Sequence, residues 1–125
     1  MKLQSAAPTG LLAITAYDAT GISVGDRKLS RSFILTPQRL IEGWSPVALD
    51  ALRAEDMAIL AELNHSIVLL GTGLRQRFPA PALLRPLIER RIGVEVMDSF
   101  AACRTYNILI AEGREVAAAI IVETT

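Results

Sequence analysis

Few residues in this chain could do chemistry at neutral pH. It carries one histidine, His65, and one cysteine, Cys103. A Cys–His nucleophile pair needs the two in contact with a third, orienting group. His65 stands instead at the entry of a short apolar run, where a surface or capping role is expected. Cys103 sits within a longer apolar stretch, as a small buried hydrophobe would. One imidazole and one thiol cannot hold a metal without several carboxylates, so no metal site is expected. A serine triad is not expected with a single histidine to serve it.

The strongest local pattern is Gly71-Thr72-Gly73, which follows an apolar run, precedes an amphipathic stretch and has Asp98 at the end of the next apolar run. That order invites a dinucleotide-binding reading. Two features oppose it. The third glycine of G-x-G-x-x-G falls at Gln76, and Phe78-Pro79-Ala80-Pro81 delays the helix, so that its N-terminus cannot face the glycine turn. No cofactor is therefore expected. Two readings of the loop stand. Its N–H groups form a small anion nest beside Arg75 or Arg77, or the glycines only permit positive φ where a buried strand leaves its sheet.

A second constellation lies in Ser99–Glu112. Phe100, Ala101, Ala102, Cys103, Tyr106, Ile108, Leu109, Ile110 and Ala111 make the segment apolar on nearly every side, the pattern of a buried helix. Arg104, Thr105 and Asn107 are set into it. A buried arginine needs a carboxylate, carbonyls or a bound anion. Glu95 or Glu112 would satisfy Arg104 internally, or the long side chain would carry its charge out to water. Alternatively, Arg104, Thr105 and Asn107 join Gly71, Thr72 and Gly73 in holding a small anionic ligand, since arginine suits bidentate binding of phosphate or carboxylate. Trp44, with Pro46 close behind, is read as core edge rather than as an exposed anchor. The short basic clusters Arg75–Arg77 and Arg90–Arg91 are read as solvated faces.

The elements that must position these residues follow from periodicity. Leu12–Tyr17 reads as a strand with Ile14 and Ala16 on one face and Ala13, Thr15 and Tyr17 on the other. Gly21–Val24 returns antiparallel, Leu29–Thr36 is another strand stopped by Pro37, and Arg39–Trp44 a fourth. Ser45 can cap and Pro46 can open a helical turn. Ala54–Leu63 reads as a helix with Met57, Leu60 and Ala61 inward and Glu55, Asp56 and Glu62 outward. Ser66–Leu70 suits a strand buried on both faces. Ala80–Arg91 is a helix with Leu83, Leu84, Leu87 and Ile88 inward, and Val94–Met97 a strand. A helix runs from Asp98 or Ser99 to about Glu112, with Gly113 as its left-handed stop, and Arg114–Val122 is the last strand. Ser66–Met97 is a β-α-β unit, so its strands should be parallel. The fold class is α/β, with a mixed central sheet and an extra β-layer from the N-terminal third. Residues 1–10 read as a loose lead-in and 11–125 as one domain.

Composition narrows the function classes. Of 125 residues, 51% are hydrophobic and 21% charged, which excludes intrinsic disorder. The 13 basic and 13 acidic residues leave no net charge and no electrostatic case for nucleic acid. The longest fully apolar run, Val116–Val122, falls well short of the ~20 residues that span a bilayer. No signal-peptide core is seen, which makes a cytoplasmic location the expectation. Edge strands in the β-rich third of an uncharged domain leave open a monomer or a weak homo-oligomer.

The C-terminal half resembles a known family. The strings Val68-Leu69-Leu70-Gly71-Thr72-Gly73, Gly93-Val94-Glu95-Val96-Met97-Asp98-Ser99, Ala102-Cys103-Arg104-Thr105-Tyr106-Asn107-Ile108-Leu109, Glu112-Gly113-Arg114 and Val116-Ala117-Ala118-Ala119, with Trp44-Ser45-Pro46 upstream, are similar to the domain-of-unknown-function 498 family, the Mth938-type domain. The resemblance begins at about residue 11, and Met97–Arg114 is its most specific part. It implies a three-layer α/β domain with flanking helices and an N-terminal β-hairpin layer. No reaction is established for the family in general. Relatives include a mitochondrial complex I assembly factor and an adipogenesis-associated protein. This implies a non-catalytic interaction or assembly role with a protein partner, in place of an enzyme. The alternative is a binding protein or minor enzyme for a small anionic ligand held between the Gly71–Gly73 loop and the Arg104 helix.

Overall fold

Hydrophobic alternation in the first third folds into parts of two separate sheets. The computed structural model describes Leu3 and residues 10–123. Most of the expected lead-in lies outside the described residues, but Leu3 donates its N–H to the Thr15 carbonyl at 3.1 Å. Strands β1 (Ile14–Asp18), β2 (Gly21–Val24) and β3 (Arg27–Leu29) form an antiparallel three-stranded sheet in that order. The β1–β2 turn is an Asx turn: Asp18 Oδ1 accepts the Thr20 N–H at 2.7 Å and the Thr20 hydroxyl at 2.6 Å. Those bonds, with Lys28 nearby, hold the Asp18 carboxyl down at about 2.

Two sequence expectations fail in this region. A register shift between Ile14 and Ala16 breaks the simple alternation in β1, so Ile14 and Tyr17 are both buried although strict alternation puts them on opposite faces. The expected strand Leu29–Thr36 is two strands in different sheets. The polar triplet Ser30-Arg31-Ser32 carries the chain between layers. Buried Ser32 donates to the Pro46 carbonyl at 2.5 Å and accepts the Val122 N–H at 3.0 Å.

The larger sheet contains β4 (Phe33–Leu35), β5 (Leu40–Glu42), β6 (Ile67–Gly71), β7 (Gly93–Met97) and β8 (Val116–Ile120), in the order β5-β4-β8-β6-β7. β4 is antiparallel to β5 and β8, whereas β6 runs parallel to β8 and to β7, as the β-α-β reading requires. The central strand β8 is Val-Ala-Ala-Ala-Ile and is buried throughout. Helices α1 (Ala54–Leu63) and α2 (Pro81–Glu89) cover one face through Met57, Leu60 and Leu87 packed with Ile34, Val68 and Leu70. Helix α3 (Ser99–Ala111) and the small sheet cover the other, where Tyr106 and Ile110 pack with Tyr17, Ile22, Phe33 and Leu69. The result is the expected three-layer α/β arrangement with a mixed central sheet.

Smaller corrections concern the helices. Segment 47–52 holds one 3-10 turn, Leu49–Ala51, and Pro46 lies outside it. Asp56, expected outward, is 3% exposed. It accepts the Ser45 hydroxyl at 2.7 Å and the Arg53 N–H at 2.9 Å, closing the first turn of α1. Ile88, expected inward, is 61% exposed, because α2 lies over the sheet edge and only Leu87 of its stripe is fully covered. Among the described residues no helix is long and apolar enough to cross a membrane.

The Asp18 carboxyl is depressed in the folded state, so its contribution to stability is full above pH 3.8 and is lost as pH falls towards 2. Thermal melts of the parent protein and Asp18→Asn across that window should therefore converge on acidification. A melting-temperature difference that stays constant with pH would show that the charge of Asp18 is not its source.

Candidate functional site

Helix α3 presents its residues on two very different sides. Asp98 caps it, accepting the Ala101 N–H at 2.8 Å on Oδ1. Ala102, Cys103, Tyr106 and Ile110 form a single buried stripe, while Arg104 is exposed and Ile108 is 60% exposed. The helix is thus amphipathic in its setting, although its sequence is apolar nearly all round. Arg104 pairs with neither Glu95 nor Glu112. Its Nη1 donates to the Tyr17 hydroxyl at 2.6 Å, and its guanidinium carbon lies 5.9 Å from the centre of the Tyr17 ring. Phe100 stacks on that ring at 4.3 Å with an interplanar angle of 16°.

The next polar residues of α3 grip the start of β1. Asn107 Oδ1 accepts the Ile14 N–H at 3.0 Å, and its Nδ2 donates to the Ile14 carbonyl at 2.7 Å. The Tyr106 hydroxyl donates to the Leu12 carbonyl at 2.8 Å. Burial pushes the Tyr106 phenol well above its ordinary range, so it stays a donor. Thr105 opens on a separate groove near Leu69 and Leu109. Cys103 is buried, and desolvation pushes its thiol up to about 12. That keeps it a thiol at neutral pH, as expected of a buried structural cysteine.

The glycine loop is packed against the start of α3. A Cβ on Gly71 would lie 2.9 Å from both Ser99 Cα and Ser99 Oγ. Thr72 is fully buried; its hydroxyl donates to the Arg75 carbonyl at 2.6 Å and accepts the Arg77 N–H at 3.2 Å. Ser99 Oγ accepts the Gly73 N–H at 2.8 Å and donates to the Ile121 carbonyl at 2.6 Å. Gly73 has a φ of +103°, and a side chain there would collide with the Glu123 carboxylate. Glu123 Oε1 accepts the Leu74 N–H at 2.8 Å. The loop therefore aims a donor at a carboxylate, as a nest would, and the carboxylate belongs to the same chain. Arg77 sits near Asp50 at 3.4 Å, both largely exposed.

Gly71, Thr72 and Gly73 are thus gathered with Ser99 and Glu123. The cavity beside Gly73 is about 10 Å³, room for one water, and Arg104, Thr105 and Asn107 are not among its lining residues. Sequence reasoning missed Ser99 and Glu123. A signal for Ser99 was present: a glycine ending a buried strand demands a close neighbour, and Ser99 opens the next helix. No signal pointed to Tyr17, Leu12 or Ile14.

Two short spacings in the chain imitate catalytic motifs. Gly21-Ile22-Ser23-Val24-Gly25 matches G-x-S-x-G, but it forms β2 and its flanking turn, whereas a nucleophile elbow needs a strand-to-helix turn. Glu62 and His65 have E-x-x-H spacing, but Asn64 has a φ of +56° and ends α1 before His65, whose Nδ1 lies 3.1 Å from the Leu63 carbonyl. Among the described residues no group of three or more His, Cys, Asp or Glu could hold a metal ion.

Comparison with known proteins agrees with this architecture. The family model for "Protein of unknown function (DUF498/DUF598)" matches residues 14–121. A cattle (Bos taurus) protein named NADH dehydrogenase (ubiquinone) 1 alpha subcomplex assembly factor 3 is 32% identical over 121 residues, covering 95% of this chain but 65% of that relative's own length. A solution structure from Bordetella pertussis, described as a Mth938-like domain, superposes with a TM-score of 0.83 at 30% identity, covering 99% of this chain and 94% of that one. A crystal structure from Bartonella henselae, described as an outer membrane protein, superposes with a TM-score of 0.74 at 30% identity, covering 91% and 97%.

Truncating Asn107 to alanine strands the N–H and C=O of Ile14 and should cost about 2–4 kcal/mol. Arg104→Ala removes an exposed contact and should cost under about 1 kcal/mol. Urea unfolding of both variants measures the difference. Equal costs would mean that the Asn107 tether does not hold β1.

Proposed function

The chain belongs to the DUF498/DUF598 family, and we propose that it is a non-catalytic interaction or assembly factor that helps a respiratory or membrane complex mature, acting from the cytoplasm through a protein partner. The observation that carries this reading is the similarity to the bovine assembly factor along 95% of the chain. The polar residues of the most family-specific string support it. Ser99, Arg104, Tyr106 and Asn107 bond to this chain's own groups. That is the behaviour of a scaffold whose surface, more than any pocket, meets other molecules.

A second reading has one observation in its favour: the Leu74 N–H already holds a carboxylate oxygen. In that reading an anionic ligand displaces Glu123 from the Gly71-Thr72-Gly73 loop; Arg104, Thr105 and Asn107, which the sequence grouped with the loop, do not line that cavity.

Two measurements separate the readings. Affinity capture of the tagged protein from its own cells should bring down subunits of one membrane complex, and deletion should lower the assembled amount of that complex on native gels. If every membrane complex assembles normally after deletion, the assembly reading fails. A thermal-shift screen against phosphate, nucleotides and carboxylic acids tests the second. A true ligand at a hundredfold excess over Kd stabilises by about 2.7 kcal/mol, and the shift should grow in Glu123→Ala, which frees the Leu74 N–H for it.

A further inference from the structure

Strand β7 is an edge of the larger sheet, and its outer side is only partly closed. Gly93, Glu95 and Met97 turn their peptide groups towards β6, as shown by Gly93 N–H to the Ser66 carbonyl at 2.9 Å and Thr72 N–H to the Met97 carbonyl at 2.9 Å. By alternation the groups of Val94 and Val96, with the Ile92 carbonyl, face outward. Two outward-side groups are already engaged. Gln76 Nε2 donates to the Val96 carbonyl at 3.3 Å, and the Ile92 N–H bonds back to the Leu87 carbonyl at 3.0 Å. That leaves the Val94 N–H, the Val94 carbonyl, the Val96 N–H and the Ile92 carbonyl.

This set is self-complementary about one point. Place a twofold axis at Val94 and run a second β7 antiparallel beside the first. Val94 then exchanges both bonds with the other copy's Val94, and each Val96 N–H meets an Ile92 carbonyl. The two engaged groups fall opposite each other, so neither is asked for a bond. Centring the axis on Glu95 instead sets the Val94 N–H against the capped Val96 carbonyl and places Glu95 against Glu95, a repulsive pair.

Side chains favour the same register. With the axis at Val94, Glu95 lies across the other copy's Gly93, on the face that carries α3. Gly93 has no side chain to fill that space, and a Cβ there would meet only the Ser66 carbonyl oxygen at 3.6 Å. The groove beyond it, about 430 Å³, is lined by Leu69, Thr105, Leu109 and Arg114, with Gly93 and this copy's own Glu95 at its rim. Glu95 and Arg114 are exposed, and neither makes an ion pair among the described residues. We propose that the occupant of the β7 edge is a second copy of this chain. The two β7 strands pair antiparallel about Val94, joining two five-stranded sheets into one, with Glu95 of each copy facing Arg114 of the other. The proposal is independent of the assembly reading, which concerns a different partner.

Sedimentation velocity over a concentration series up to ~200 µM tests it, because that range reaches the weak affinities expected of a small interface. The parent protein should dimerise, and Glu95→Lys and Arg114→Glu should each weaken the dimer roughly tenfold by setting like charges together. Mixing the two variants should restore it, since in the mixed dimer both charge pairs are again opposite. Both positions are exposed, so circular dichroism should be unchanged. A parent protein that stays monomeric overturns the proposal. So does a dimer indifferent to both substitutions, or one that mixing the variants fails to restore.

Discussion

Two hydrogen bonds from one side-chain amide tie the two sheets of this protein together. Asn107 and Ile14 are 93 residues apart in the chain, yet the carboxamide of the first acts towards the second as a neighbouring strand would. It offers one acceptor and one donor to the outer edge of β1. Because α3 also packs on β6 and β8, the amide couples the small sheet to the large one through a single helix. Other contacts depend on that placement. Tyr106 reaches Leu12 only when β1 lies against α3, and Tyr17 can stack on Phe100 and take the Arg104 hydrogen bond only in the same position. A side-chain amide partly withdrawn from water is costly unless both of its ends are bonded. Here both are, so the geometry is well specified.

A second junction lies where three segments meet at the carboxyl end of β6. The loop leaving β6, the first turn of α3 and the chain leaving β8 all bond through Ser99. In open α/β sheets this end is the usual place for a ligand, because helix N-termini and loops converge there. In this protein the serine hydroxyl and the Glu123 carboxylate already fill it. The same glycines that suggest a cradle for an anion allow the backbone to approach its own chain closely.

Where local spacing decides structure, the sequence was readable. The limits of α1, the strand Gly21–Val24 and the parallel pairing of β6 and β7 follow from periodicity and turn residues. The resemblance added the three-layer order. Long-range pairing was not readable. Tyr17 is 87 residues from Arg104, and nothing near either residue announces the other. The split of Leu29–Thr36 between two sheets was equally hidden. A polar triplet inside a strand pattern can be a solvent-facing kink or a crossing between layers, and only the packed core decides. Asp56 was misjudged for a related reason. Charge predicts exposure unless a cap gives the carboxylate its donors, and Ser45 and the Arg53 amide do so here.

The alanines of β8 set a different kind of limit. Ala117 and Ala119 face the two-helix layer, and Ala118 faces the layer of α3, all with no exposed surface. Small side chains on both faces of a central strand let the layers on either side approach it closely. A strand of methyl groups has almost nothing to lose by truncation and no room for an added carbon. Interiors at crystal-like density resist insertion. A larger side chain at Ala117, Ala118 or Ala119 would have to push a whole layer away, whereas a change at an outer strand can be taken up by partly exposed neighbours. The central strand works as a fixed gauge for the distance between the layers.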